Sequence, residues 1–343
     1  MRRRLLVMAV FSWLIAAAAA SADEVDDFII AQLRVQRIPG LALAVVKDGR
    51  VVKVAGYGAA DRATRTPVSA DTVFKIGSIS KPILATAVMR LVQDGRIDLD
   101  APVRTYLQDA PPAWNGITVR HLLSHSAGLV RDADDFDPLR PQPGGAQIRA
   151  SAYRQPLASK PGEKVSYSNM GYAVIAELIG EVAGRPWADY VAEHVFMPAG
   201  MTATHLYTRT EAPFRARGYS DNDKLLPAVE WVAVPASGSY QSTVLDLANW
   251  DRALSGDGIL SVDTRQQMWT PITLSDGSTS QWGLGWDLGR FQERRRISQS
   301  GGLPGFVSQY WRFPDDRLSV IVLIDLDDAD VGAIMAGLAQ RYL

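Results

Sequence analysis

The chain of 343 residues contains no cysteine. That excludes a cysteine nucleophile, a thiolate zinc site and any disulfide. The fold must therefore be held by its apolar core, which a chain of this size can build. Histidine is also scarce, with four in all. His121 and His125 stand four apart, but no Glu follows His121 to complete a metalloprotease helix, and both read as structural. His194 and His205 have no partners in sequence, so a Ser-His-Asp triad is not expected. Gly-x-Ser-x-Gly, the mark of an α/β-hydrolase elbow, is missing as well. The charges nearly cancel, 36 basic against 37 acidic. That leaves no field for nucleic acid or an anionic membrane, and Arg294-Arg295-Arg296, the one basic cluster, reads as a solvated strand end. No metal or cofactor motif is present. Beyond the first 22 residues no apolar run is long enough to span a bilayer, and Val320–Ile324 is only strand-sized.

The opening residues do carry a signal. Arg2-Arg3-Arg4 precede an apolar stretch from Leu5 to Ala20, and Ala20-Ser21-Ala22 offers a small-x-small cleavage site. Residues 1–22 are thus expected to be a secretory leader, and residues 23–343 an exported protein, periplasmic or secreted. The alternative, an uncleaved anchor, has the shortness of the run against it. Without its three arginines the chain carries a net charge of about −4.

Hydrophobic residues at 47% and charged residues at 21% are ordinary for a globular chain. Leu41–Val46 and Val51–Ala55 flank Lys47-Asp48-Gly49-Arg50, a hairpin pattern. Ile83–Asp94 has a helical apolar stripe, with Pro82 just inside its start and Gly95 beyond its end. From about Leu99 to Leu226 the reading is mainly helical: Val119–Ser124, a stripe through Ile175, Leu178, Ile179 and Val182, and Trp187–Phe196. Asp132–Gln147 reads as a long loop of the kind that borders active sites. Thr243–Leu254 is then a helix. Strands are expected over Gly283–Leu288, Arg295–Ser300, Val307–Phe313 and Leu318–Ile324, and a closing helix over Asp330–Leu343. The fold class is α/β (α+β): a sheet built from about 26–98 and 237–343, split by a mainly helical insertion over about 99–236, with one cleft shared between them.

Three short motifs bear on chemistry. In Ser78-Ile79-Ser80-Lys81 the serine and lysine are three apart, on one helix face. A serine hydroxyl needs a base, and a lysine serves if burial lowers its pKa. Lys81 is the only lysine of the chain with a serine three positions before it. Tyr167-Ser168-Asn169 supplies a phenol able to relay a proton, and an amide able to bind a substrate carbonyl or to hold the lysine. Gln299-Ser300-Gly301-Gly302-Leu303-Pro304-Gly305, read as following a strand, has the glycines that let a substrate approach backbone N–H donors.

In this order the three motifs resemble those of the serine β-lactamase and penicillin-binding-protein superfamily. The resemblance is closer to the branch of class C β-lactamases, D,D-peptidases and family VIII esterases. Phe74-Lys75-Ile76-Gly77-Ser78, His121-Leu122-Leu123-Ser124-His125-Ser126-Ala127-Gly128-Leu129, Trp282-Gly283-Leu284-Gly285-Trp286 and Gly301-Gly302-Leu303-Pro304-Gly305-Phe306 extend it from about Asp26 to the C-terminus. It implies a β-lactamase/transpeptidase-like fold, an antiparallel sheet flanked by helices. It implies Ser78 as nucleophile, Lys81 as its base partner, Tyr167 as proton relay and Asn169 as a substrate-orienting group. Gln299, Ser300, Gly301 and Gly302 would form the substrate edge, with oxyanion donors in the N–H groups of Ser78 and Gly302. One position departs from the pattern: Gln299 stands where the branch usually carries Lys or His. A neutral amide forfeits the charged hydrogen bond to a substrate carboxylate, about 1.5–3 kcal/mol against about 1.

The expected function is an acyl-enzyme hydrolase acting on small carboxylic esters, or on short D-amino-acid peptides and amides, with little β-lactam turnover. Arg296 is a nearby arginine able to stand in for the missing cation. The competing readings are a penicillin-binding or sensing module that acylates without turnover, and a cell-wall scaffold that would not need Ser78. No nucleic acid, cofactor or membrane partner is implied, and the oligomeric state is left open.

Overall fold

The computed structural model describes residues 24–133, 136–137, 140, 143–207, 214–220, 226–227 and 235–343. The leader expected over residues 1–22 lies outside the described residues, as does part of the loop expected over Asp132–Gln147.

The chain opens with helix α1 (24–36) and then the expected hairpin, β1 (Gly40–Lys47) and β2 (Arg50–Asp61), followed by the short β3 (Thr66–Pro67). Asp48 and Gly49 both have positive φ, 51° and 73°. That is the turn whose twist suits two strands joined by two residues. Four short strands follow along the chain, β4 (Phe74–Lys75), β5 (His205–Leu206), β6 (Tyr219–Ser220) and β7 (Leu226–Pro227), and then β8 (Tyr240–Ser242). The last four strands are β9 (Asp287–Phe291), β10 (Arg294–Leu303), β11 (Phe306–Phe313) and β12 (Leu318–Ile324). The main sheet is antiparallel, in the order β3-β2-β1-β12-β11-β10-β9. Its first and last strands in sequence meet at its centre, with Leu41 opposite Ile324 and Lys47 opposite Leu318.

Both faces of the central strands are covered, so they read as continuous apolar runs rather than alternating ones. On one face Leu41, Leu43, Val45, Val320 and Val322 pack with Ile29 of α1 and with Ile334 and Leu338 of α10 (Val331–Tyr342). On the other, Ala42, Ala44, Ile321 and Leu323 join the larger core. That core includes α2 (Ser80–Gln93), α8 (Val244–Ser255) and α9 (Val262–Met268). The remaining helices lie between β4 and β5 in sequence: α3 (Val119–Leu123), α4 (Gly145–Arg154), α5 (Asn169–Ala183), α6 (Trp187–Val191) and, after a π-helical stretch over Ala192–Phe196, α7 (Met197–Ala199).

Two expectations need correction. No strand covers Gly283–Trp286. Gly285 has φ +85°, and a Cβ there would meet that of Ala85 at 2.6 Å, while a Cβ on Gly283 would meet the Met268 carbonyl at 2.1 Å. This segment is a tight turn pressed onto α2 and α9, burying Leu284 and Trp286, and the strand starts only at Asp287. Conversely, Gln299–Leu303 does not follow a strand but continues it. β10 runs to Leu303, and the reversal falls at Pro304-Gly305.

Candidate active site

Ser78 lies in a single 3-10 turn, Gly77–Ile79, that runs straight into α2. Backbone contacts hold this turn against β10. A Cβ on Gly77 would meet the Gly302 nitrogen at 2.8 Å, and one on Gly301 would meet the Ile76 carbonyl oxygen at 2.1 Å. Ser308 of β11 donates to that same carbonyl at 2.8 Å. Glycine is needed at both places because there is no room for a side chain. β9 pairs with β10 only from Arg294 to Ser298. From Gln299 onward β10 is paired on one side only, with β11, and its other edge opens beside Ser78.

One helical turn on, Lys81 is 1% exposed. Its ammonium nitrogen lies 3.0 Å from Ser78 Oγ, 2.8 Å from Asn169 Oδ1 and 2.9 Å from the Ser237 carbonyl oxygen. Burial pushes its pKa well below that of a free lysine, against the pull of Asp132 and with the help of Arg131. A neutral amine has two N–H groups and one lone pair. Asn169 and Ser237 take the two donors, which leaves the lone pair for the Ser78 hydroxyl.

Asn169, at the start of α5, is held at both ends. Its Oδ1 accepts from Lys81, and its Nδ2 donates to Asp132 Oδ1 at 2.7 Å. Of the two uses open to this amide in sequence, the geometry shows the one that holds the lysine.

The Tyr167 ring lies 4.7 Å from the Lys81 nitrogen. Burial raises the phenol pKa to about 12, although its hydrogen bonds with Ser78 and Gln299 pull it down. At neutral pH Tyr167 therefore keeps its proton. Gln299, 3% exposed, also donates to the Ser300 carbonyl at 3.1 Å.

Arg296 does not take the place of a cation at position 299. The two residues are three apart on one strand and so face opposite sides of the sheet. Arg296 pairs with Asp287 at 3.2 Å and lies over the Trp311 ring at 4.8 Å. The cleft, a cavity of about 750 Å³, wraps the open edge of β10 and is lined on one side by Ser78, Tyr167 and Gln299, on the other by Arg296, Ser298 and Gln309. Its second arginine, Arg131, pairs with Asp132 at 3.3 Å. Each arginine of the cavity thus already has a carboxylate.

Two contributors were not among the expected site residues. Ser237 enters through a backbone carbonyl, which leaves no mark on residue type. His125, read as structural, is buried in the left-handed region at φ 59°. Its carbonyl accepts from Ser166 N at 2.8 Å and its Nδ1 from Ser168 N at 3.1 Å. Its ring stacks on that of the intervening Tyr167. The run around His125 was visible in the sequence, but its contact with Tyr167 was not.

Comparison with known proteins shows the family of the chain. The sequence profile of the beta-lactamase family matches residues 25–341. Penicillin-binding protein 4* of Bacillus subtilis is 27% identical over 317 residues, covering 84% of this chain and 68% of its own length. The D-aminopeptidase of Brucella anthropi is 29% identical over 300 residues, covering 84% of this chain and 56% of its own length. The chain thus spans little more than half of the second relative. Among solved structures, the octameric penicillin-binding protein homologue from Pyrococcus abyssi superposes with a TM-score of 0.81 at 26% identity, over 93% of this chain and 76% of that one.

Proposed function

Because the chain belongs to the beta-lactamase family and is a serine hydrolase of that fold, we propose that Ser78, Lys81 and Tyr167 are its catalytic groups and that its substrates are small esters or amides, D-amino-acid derivatives among them. The observation that carries this reading is the buried Lys81 amine 3.0 Å from Ser78 Oγ, with its other two contacts both acceptors.

In the proposed cycle the Lys81 lone pair takes the Ser78 proton as Oγ attacks the substrate carbonyl. The N–H groups of Ser78 and Gly302 receive the oxyanion. Tyr167 gives its proton to the leaving alkoxide or amine, and the proton on Lys81 restores it. An ester on Ser78 remains. Water then attacks this ester, losing a proton to the same pair, and Ser78 is released with the acid.

The substrate class rests on charge. The two arginines lining the cavity are each paired with a carboxylate, and position 299 is neutral. This favours substrates without a free carboxylate beside the scissile bond. The D-aminopeptidase relative supports amides of D-amino acids as the natural variant of this class. The leader-like residues 1–22 support action outside the cytoplasm. No helix among the described residues is long and apolar enough to cross a membrane.

The test is turnover of p-nitrophenyl butyrate, D-phenylalaninamide and nitrocefin side by side, with Ser78→Ala as control. Ester or amide turnover that exceeds nitrocefin turnover and vanishes in Ser78→Ala is expected. Equal rates in Ser78→Ala would sink the mechanism, and faster nitrocefin turnover would sink the substrate class.

A further inference from the structure

A second cavity of about 220 Å³ lies at the far end of α8, lined by Asp251, Ser255, Arg265, Trp269, Arg312 and Arg317 among others. None of these residues lines the catalytic cleft. We propose that it binds a small oxyanion, a carboxylate, phosphate or sulfate, between Arg265, Arg312 and the indole N–H of Trp269.

Charge gives the first argument. Arg312 and Arg265 are 7% and 8% exposed, and among the described residues the one buried carboxylate lining the cavity with them is Asp251. Asp251 is engaged with Arg312 at 2.8 Å and also accepts from Tyr310. Arg265 has a hydrogen bond to the Gly256 carbonyl and only the field of Asp257 to offset it. Two guanidinium groups against one carboxylate leave a buried excess positive charge, which is unfavourable unless something neutralises it. Burial and the neighbouring Arg312 both lower the Arg265 pKa, as expected of an under-compensated cation.

Donor accounting gives the second. The arginines cap the end of α8: Arg265 Nη1 donates to Gly256, Arg312 Nη1 to the Asp251 carbonyl, and Arg312 Nη2 to Ser255 Oγ at 2.6 Å. Two other N–H groups, Arg312 Nε and Trp269 Nε1, are buried with no acceptor among the described residues. Both guanidinium groups also lie over the Trp269 ring, at 4.8 and 5.8 Å, which offsets part of their charge but gives the indole N–H nothing to donate to. A buried donor left without a partner is destabilising. Water would satisfy the donors, but only an anion satisfies both the donors and the charge. The volume is several times the ~30 Å³ share of one water in the liquid, and Arg317, also among the lining residues, is 74% exposed at its side chain and paired with Asp48 at 2.6 Å.

The test is thermal unfolding and calorimetry of the whole protein with sodium phosphate, sulfate or acetate, at ionic strength held constant with sodium chloride. Saturable binding by at least one oxyanion is expected, with an increase in Tm on the order of 2 °C or more near saturation. The rank order of the three arms identifies the chemistry. Trp269→Phe keeps the ring and removes the N–H, and Arg265→Gln removes the excess charge. Each should weaken binding at least about tenfold, the loss of roughly one such hydrogen bond, and leave p-nitrophenyl butyrate turnover unchanged. Absence of binding in all three arms, or binding equal to wild type in both variants, would overturn the proposal.

Discussion

The imidazole of His125 lies 4.3 Å from the ring of Tyr167, 28° from parallel, and its backbone and Nδ1 hold the residues on either side. Tyr167 is thus fixed at three points by one residue. Trp282 closes the edge of the same imidazole at 86°. The imidazole Nε2 has no hydrogen-bond partner among the described residues.

His125→Phe would keep the stacking and remove the acceptor for Ser168 N. We expect kcat for D-phenylalaninamide to fall about 10- to 100-fold, since misplacing a catalytic group by an ångström has effects of that size, with KM within about twofold. A loss of Tm with kcat unchanged would reduce His125 to packing alone.

The same variant has a pH signature. Burial, with the nearby Lys81, holds the His125 pKa well below its usual value of 6.5. Between those two values the unfolded chain binds the extra proton, so this contribution is present above pH 6.5 and is lost as pH falls below it. Burial also lowers His121 and His194. The difference in Tm between wild type and His125→Phe, followed from pH 7.5 to 5, isolates the residue: the gap should narrow as the pH drops.

Lys81→Ala and Lys81→Arg should each lower kcat/KM by about 10³-fold or more. The arginine variant is the informative one, because a guanidinium keeps the charge but cannot give up its proton. In the wild type kcat/KM should rise through a Lys81 pKa far below 10.5 and show no alkaline decline until Tyr167 deprotonates at about 12. An acidic limb centred near 10 would contradict a neutral Lys81.

Tyr167→Phe should separate substrates by leaving group. p-Nitrophenolate departs without a proton and an amine does not, so the loss on D-phenylalaninamide should exceed that on p-nitrophenyl butyrate by about 10²-fold. Equal losses would remove Tyr167 from leaving-group protonation.

Gln299→Lys restores a cation at the open edge of β10. A charged hydrogen bond exceeds a neutral one by about 0.5–2 kcal/mol. The ratio of nitrocefin to ester turnover should therefore rise about 2- to 30-fold. An unchanged ratio would show that selectivity against carboxylates lies elsewhere in the cleft.

Much of this was legible before any coordinates. The Ser78–Lys81 spacing fixes one face of a helix, and the Asp48-Gly49 turn, the α8 cap at Thr243 and the closing α10 follow from local chemistry. What escaped was decided by distant partners. Gly301 and Gly302 look like a turn because glycine usually makes one, yet Gly301 is there because Ile76 and Ser308 occupy the space of its side chain. Gly283–Trp286 has the composition of a strand, but the positive φ at Gly285 prevents one there, and β9 starts at Asp287. Helix α1 draws burial from α10, about three hundred residues further along the chain, which no local window reports.

The pairing of β1 with β12 also dictates an order of assembly. The strand at the middle of the sheet places Ile324 opposite Leu41, 283 residues earlier in the chain. Until that strand has been synthesised, β1 has one flank unsatisfied and the two helices of the outer layer have no common surface. Contacts this remote in sequence close large loops and form slowly. A chain arranged in this way completes its central sheet only once β12 has been made.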